Sequence, residues 1–187
     1  MKLITKLFFA PYLAFLSLLL VVFGNSIIVS ASDYYVAVDG NDYNPGTAEK
    51  PFRTIQKAAD VVKAGDNSIV RRGSYSESVT IKTSGTRGNV ITFKPEPNSK
   101  VFLKTPATAQ SKTAVFTIRD KSFIRIEGFH FKDFEYGRAV LIESTEHLHD
   151  ILPYKAEGNV IFNNTFENIG IADDPAGNGV VLGSYAG

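Results

Sequence analysis

The sequence predicts an all-β fold, wound in successive coils and preceded by one helix. Three observations lead there: a long series of short β-rich runs, no amphipathic helix between them, and a segment that recurs at an offset of 35 residues.

The first element is residues 33–38, where Tyr-Tyr-Val-Ala-Val reads as a short strand. It enters the stretch Asp39-Gly40-Asn41-Asp42-Tyr43-Asn44-Pro45-Gly46, which is dense in turn formers. Thr54 then precedes Ile55, Ala58, Ala59 and Val62, which share one helical face, and Gly65 stops the helix, giving a span of about 54–63. From Ile69 onward the runs are β: 69–70, 79–81, 90–93, 101–103, 114–118, 123–126, 129–131, 139–142, 160–162 and 179–182. Gly, Asn, Asp, Ser and Pro clusters separate them, and no crossover helix intervenes to make an ordinary βαβ unit.

Sandwich, barrel and solenoid all satisfy that pattern, so internal repetition decides. Ile126-Glu127-Gly128-Phe129-His130-Phe131-Lys132-Asp133-Phe134 matches Ile161-Phe162-Asn163-Asn164-Thr165-Phe166-Glu167-Asn168-Ile169. The strand after each copy repeats too, as Gly137-Arg138-Ala139-Val140-Leu141-Ile142 and Gly177-Asn178-Gly179-Val180-Val181-Leu182. Two coils of one winding explain this. The excess over a coil of about 20–30 residues falls in an insertion at 146–158, which carries His147, His149, Asp150 and Pro153.

Composition bounds the function. The 187 residues are 44% hydrophobic and 21% charged, a globular balance with room for one domain. A net charge of +1 supplies no field that would gather a nucleic acid, so none is expected as a partner. The absence of cysteine excludes a disulfide framework, a thiolate zinc site and a cysteine nucleophile.

At the N-terminus, Lys2 and Lys6 precede an apolar run over 7–23, followed by Val29-Ser30-Ala31 with small residues at a cleavage-like site. Residues 1–31 therefore read as a secretory signal peptide, with residues 32–187 as the mature domain beginning near Ser32. The alternative is an uncleaved anchor, since the run approaches spanning length; with the signal cleaved, no stable membrane span is left. Cleavage would leave 18 basic against 19 acidic residues and place the protein outside the cell or on its surface.

Four blocks in order carry a resemblance: residues 34–47, from Tyr34-Tyr35-Val36 to Pro45-Gly46-Thr47; Lys50-Pro51-Phe52-Arg53-Thr54-Ile55-Gln56-Lys57-Ala58; Gly65-Asp66; and Val70-Arg71-Arg72-Gly73-Ser74-Tyr75. Ser84-Gly85-Thr86-Arg87-Gly88-Asn89-Val90-Ile91-Thr92-Phe93 extends them, and Asn163-Asn164-Thr165-Phe166 looks like a typical coil. Over about residues 33–182 the chain resembles the N-terminal part of secreted right-handed parallel β-helix proteins, including calcium-dependent pectate lyases and related polysaccharide lyases. The resemblance implies three parallel sheets wound right-handed, with Phe131 beside Phe166 and Val140 beside Val180. It also implies a capping role for the helix, which would cover the open end of the first coil. The sequence departs at Asn67-Ser68-Ile69, where such proteins carry a more apolar strand.

The lyase chemistry so implied needs a base beside a uronate carboxylate and positive charge to stabilise the resulting anion. Asp173 and Asp174, with Glu167 and Glu143 on neighbouring runs, form the densest acidic candidate for calcium, although adjacent acids in a Gly-Pro loop are commonly just solvated. Asp39 to Asp42 superficially resembles a calcium loop, but Tyr43 stands where a ligand belongs and the stretch reads as a turn. Arg138 and Lys132 are the candidate substrate-binding cations, with Arg125 and Lys104 beside them on β runs; outward charges on strands are also ordinary. His130, His147 and His149 are too scattered to define a metal trio. Asn163 opens a formal glycosylation sequon, read instead as part of an amide-bonded turn. Phe116, Phe123, Phe129, Phe131, Phe134, Phe162 and Phe166 are assigned to the interior.

The functional expectation is a secreted β-helix protein acting on acidic polysaccharide such as pectate, lyase-like and calcium-assisted. The alternative is a non-catalytic carbohydrate-binding or surface-structural β-helix. Because 179–187 end just after a strand-like run with no closing cap, the chain is further expected to be an incomplete solenoid without lyase turnover of its own.

Overall fold

The computed structural model describes residues 30–109, 113–134, 137–144, 156–169 and 180–184. Residues 1–29, with most of the expected signal, lie outside them, as do His147, His149, Asp173 and Asp174. Among the described residues no helix is long and apolar enough to cross a membrane.

Among the described residues β1 (Asp33–Val36) and α1 (Ile55–Val61) come first, and the elements after them are strands. The first coil holds β2 (Asn67–Val70), β3 (Gly73–Ser76) and β4 (Val79–Thr80); the second β5 (Ile91–Pro95), β6 (Val101–Lys104) and β7 (Ala114–Arg119). The third holds β8 (Ile124–Glu127), β9 (His130–Phe134) and β10 (Arg138–Ser144); the fourth β11 (Val160–Phe162), β12 (Thr165–Ile169) and β13 (Val180–Ser184). Each coil contributes one strand to each of three sheets: sheet A is β1-β2-β5-β8-β11, sheet B β3-β6-β9-β12, and sheet C β4-β7-β10-β13. Every pairing between these strands is parallel. This is a parallel β-helix.

Parallel stacking at about 4.8 Å places equivalent residues of successive coils over one another. Phe166 lies in register with Phe131, their rings stacked at 5.2 Å and 11°, and Val180 lies in register with Val140, as the repeat requires. The interior is built from such columns. Sheet B supplies Tyr75, Leu103, Phe131 and Phe166, and sheet C supplies Val79, Phe116, Val140 and Val180. Phe116 ties the two together, edge-on to Phe93 at 5.6 Å and to Phe131 at 6.4 Å. The sheet A column runs Tyr34, Ser68, Phe93, Ile126 and Ile161. Ser68 is fully buried, its hydroxyl without a hydrogen-bond partner among the described residues, so the polar departure at Asn67-Ser68-Ile69 becomes a weak spot in the first coil rather than a break in its strand.

The assignment of all seven phenylalanines to the interior needs correcting. Phe116, Phe129 and Phe131 are fully buried, but Phe162 points outward and is 55% exposed. It follows inward-facing Ile161, and alternation along a strand decides its side. Phe166 belongs to the inner column yet is 40% exposed, and Phe123 sits half-buried at a corner with Arg87 over its ring. Phe134 is described in its backbone alone.

The corners also repeat at the offset of 35. Phe123 and Gly158, Gly128 and Asn163, and Asp133 and Asn168 all hold left-handed backbone, with φ between 50° and 77°. Gly, Asn and Asp tolerate that region, which explains the small and polar residues flanking each short strand. Asn side chains then complete the corners: Asn164 accepts from the Phe129 N–H at 2.9 Å and donates to the Ile126 carbonyl at 2.9 Å. Asn159 likewise accepts from the Ile124 N–H at 3.0 Å and donates to the Lys121 carbonyl at 2.9 Å.

The helix caps the first coil. Thr54 is its N-cap, accepting from the Lys57 N–H at 3.1 Å, and Asp42 in turn holds the Arg53 and Thr54 N–H groups at 2.9 Å each. The Asp39 to Asp42 stretch is therefore a turn whose last carboxylate is already occupied. Ile55, Ala58 and Ala59 face the core, and the helix ends at Val61 because Val62 turns to extended backbone. Gln56 closes the bare edge of sheet C. Its amide nitrogen donates to the Thr80 carbonyl at 3.2 Å and its oxygen accepts from the Thr80 N–H at 2.7 Å, a side-chain substitute for a further strand.

Glu77, in the turn between β3 and β4, accepts from the Ile55 N–H at 3.1 Å and the Gln56 N–H at 3.2 Å. Burial raises its pKa against the pull of those bonds. A carboxyl raised on folding favours the fold most below its unfolded pKa, and that contribution is lost as pH rises through the folded value. Chemical denaturation of Glu77→Gln should therefore show a flatter decline in stability above pH 4.5 than the parent; an identical slope would exclude a buried, coupled carboxyl there. Asn164→Ala should cost about 1–3 kcal/mol by stranding buried backbone groups, whereas Asn163→Gly, at a left-handed and exposed position, should be nearly neutral.

Candidate functional site

Interior-facing side chains build the stack, so recognition falls to the outward columns. On sheet B, Phe102, His130 and Thr165 occupy one outward column by register, and Lys132 and Glu167 are register partners in the next. The Phe102 and His130 rings lie 5.5 Å apart, and the Lys132 ammonium is 5.3 Å from the Phe102 centroid. The same ammonium is 3.0 Å from Asp133 Oδ2, while Asp133 Oδ1 accepts from the Asn168 amide at 3.1 Å. The left-handed backbone at Asp133 and Asn168 permits this bond between equivalent corners of adjacent coils.

Those contacts fix the charge states. The bond from Asn168, then that from Lys132, holds the Asp133 carboxyl below the usual carboxylate range, with Lys104 adding to the effect. Asp133 in turn keeps the Lys132 ammonium protonated above its ordinary range. Lys132 is thus suited to bind an anion rather than to remove a proton, which would require its pKa to fall. Lys104 is exposed on β6, so the face presents two ammonium groups, an aromatic ring and an imidazole.

Arg138 is elsewhere. It opens β10 on sheet C, after Gly137, whose φ is +103° and where an added Cβ would lie 2.6 Å from the Thr113 carbonyl oxygen, too close to fit. Arg138 is half-buried and its Nε is shut from solvent without a hydrogen-bond partner among the described residues. It does not join Lys132, which sits on another sheet. The outward face of sheet C carries a different pair: Arg119 Nε donates to Glu143 Oε2 at 2.9 Å, with Glu143 almost fully buried and in register with Arg119 and Gly183. No signal in the sequence pointed to Arg119. Arg125 lies on sheet A, bound to Glu127 and 5.0 Å from the Phe162 ring.

Among the described residues no three His, Asp or Glu side chains come together as metal ligands. Glu143 and Glu167 fall on different sheets, and Glu143 is committed to Arg119. Asp173 and Asp174, the acids singled out for calcium, lie outside the described residues.

Residues 34–184 match the Pel9A-like, right-handed β-helix region. The chain belongs to this family. It is 40% identical over 106 residues to the uncharacterized protein YwoF of Bacillus subtilis, covering 55% of this chain and 23% of that protein. It is 27% identical over 146 residues to pectate lyase PEL9 of Emericella nidulans, covering 75% of this chain and 33% of the lyase. The chain thus spans a third or less of these relatives. Two solved structures share the fold: a rhamnogalacturonan lyase, with 21% identity and a TM-score of 0.54 over 72% of this chain and 36% of that one, and the lacto-N-biosidase of Eubacterium ramulus, with 15% identity and a TM-score of 0.58 over 73% and 27%. The right-handed parallel β-helix implied by the sequence motifs is the family's architecture.

Because Asn168 is the leading cause of the low Asp133 pKa, Asn168→Ala should move the Asp133 titration midpoint upward toward the ordinary carboxylate value. Carboxyl-resolved NMR titration reads this directly; an unmoved midpoint would contradict the stacked-corner bond. Since Asp133 is lowered and Lys132 raised, the pair stays ionised throughout the neutral range. It weakens only as pH falls through the Asp133 value or rises through that of Lys132.

Proposed function

We propose that this protein is exported and acts on acidic polysaccharide such as pectate, as a lyase of the pectate class. The observation that carries the reading is the outward face of sheet B, where Lys104 and Lys132 flank Phe102 and His130, on a chain of the Pel9A-like family. Ammonium groups meet the carboxylates of a uronate chain, and an aromatic ring takes the apolar C–H face of a sugar. The similarity to a pectate lyase, 27% identical over 146 residues, supports the choice of reaction class. The elimination removes the proton next to the uronate carboxylate and breaks the glycosidic C–O bond beta to it, leaving a carbon–carbon double bond in the new non-reducing sugar. Export rests on Lys2, Lys6, the apolar run over 7–23 and Val29-Ser30-Ala31. Calcium enters through Asp173 and Asp174, whose hard oxygens suit it.

The second reading is a carbohydrate-binding β-helix without chemistry. It is favoured by one specific observation: the cation best placed on the sheet B face, Lys132, is held in its protonated form by Asp133 and is a poor base.

Incubation with polygalacturonate and calcium, followed by the ultraviolet absorbance of the unsaturated product, separates the two. The lyase reading predicts product that disappears on chelation and on Asp173→Ala, and such product from residues 32–187 alone would overturn the expectation that this chain has no turnover of its own. Binding without product supports the second reading. In both cases Lys104→Gln with Lys132→Gln should weaken binding by about tenfold, and unaltered binding would remove the sheet B face from either account.

A further inference from the structure

Sheet A carries a second outward feature that neither the fold nor the proposed activity uses. Register aligns Tyr35, Ile69 and Lys94 in one outward column, and Glu127 with Phe162 continues it, because Phe93 pairs with Ile126 one residue earlier. At the end of this column lies an open depression of about 350 Å³, bordered by Lys94, Glu96, Glu127, Phe162 and Asn163. That size falls at the small end of the range of about 300–1,000 Å³ typical of ligand sites.

The charges around it are unevenly committed. Glu127 is bound by Arg125, and Glu96 is held 3.5 Å from Arg71 Nε, so both carboxylates at the depression are answered by arginines of their own face. Lys94 makes no ion pair among the described residues. Phe162 is 55% exposed, although the positions stacked beneath it, Glu127 and Lys94, are charged and the chain could have continued that pattern. The Arg125 guanidinium 5.0 Å from its centroid fixes the ring while it borders the depression.

We propose that this depression is a second, non-catalytic subsite for an acidic saccharide, with Lys94 taking a uronate carboxylate and Phe162 the C–H face of a pyranose ring. The proposal rests on the reading of the protein as active on acidic polysaccharide, and it adds a contact on a different sheet from Lys104 and Lys132. Charge complementarity selects the ligand. A neutral sugar leaves the Lys94 ammonium unanswered, and a cationic ligand would compete with two arginines already seated on the carboxylates.

The test is affinity electrophoresis of the full chain through gels containing polygalacturonate or neutral galactan. The wild type should be retarded by polygalacturonate and pass freely through galactan. Phe162→Ala and Lys94→Gln should each lower the association constant by about threefold or more, and Phe162→Tyr should preserve it. Both substitutions are at outward positions, and circular dichroism verifies that each variant is folded. Retardation unchanged in both variants would overturn the subsite while leaving the sheet B reading intact. A wild type that passes freely through polygalacturonate would overturn both, and equal retardation by galactan would overturn the anionic preference.

Discussion

The parallel register between successive coils is the constraint on which everything else in this molecule rests. Once Phe131 must lie over Leu103 and under Phe166, and Phe116 over Val79 and under Val140, the inward positions of every strand are fixed. By alternation the outward positions follow, so Phe102, His130, Lys132 and Glu167 gather on one face although 65 residues separate the first from the last. A slip of one residue would exchange the two sets and bring the charges into the core. Core stability and the composition of the binding faces are therefore set by the same pairing.

Where the ladder cannot continue, side chains substitute for it. Gln56 bonds both backbone groups of Thr80 at the edge of sheet C, and Glu77 takes the first amides of the capping helix. Asp66, itself buried, accepts from the Ser32 and Lys63 N–H groups at 2.8 Å each, tying the entry of β1 to the exit of the helix. These side chains bond backbone groups that the strand and helix ladders leave unpaired. The carboxylates near the N-terminal end are thus structural. This separates them from the acids that could serve a substrate or a cation further along the chain.

Much of this organisation was legible in the sequence, for identifiable reasons. The helix face of Ile55, Ala58, Ala59 and Val62 is visible because its apolar spacing has no competing β reading. The repeat at 126–134 and 161–169 is visible because corner residues as well as core residues recur, the left-handed backbone demanding Gly, Asn or Asp at matching places. Strand β3 was not legible, since it has a single large inward residue, Tyr75, among polar neighbours and so lacks an apolar run. The outward turn of Phe162 was missed for the opposite reason. An aromatic within Val-Ile-Phe looks buried until pairing with Arg125, Ile126 and Glu127 assigns its side. Arg138 and Lys132 appear equivalent in sequence, but they lie on different sheets, with the left-handed positions Asp133 and Gly137 between them.

Cysteine cross-linking tests the register most directly, and the chain has no cysteine of its own to interfere. Arg125 and Val160 are outward register partners on β8 and β11. Neighbouring strands about 4.8 Å apart bring such a pair within disulfide range of about 4.4–6.8 Å between Cα atoms. The account predicts that Arg125→Cys with Val160→Cys oxidises readily to an intramolecular disulfide in the folded protein. Thr92→Cys with Val160→Cys, two strand spacings apart in the same column, should not. Equal cross-linking of both pairs, or of neither, would contradict the coil register from which the columns and faces are derived.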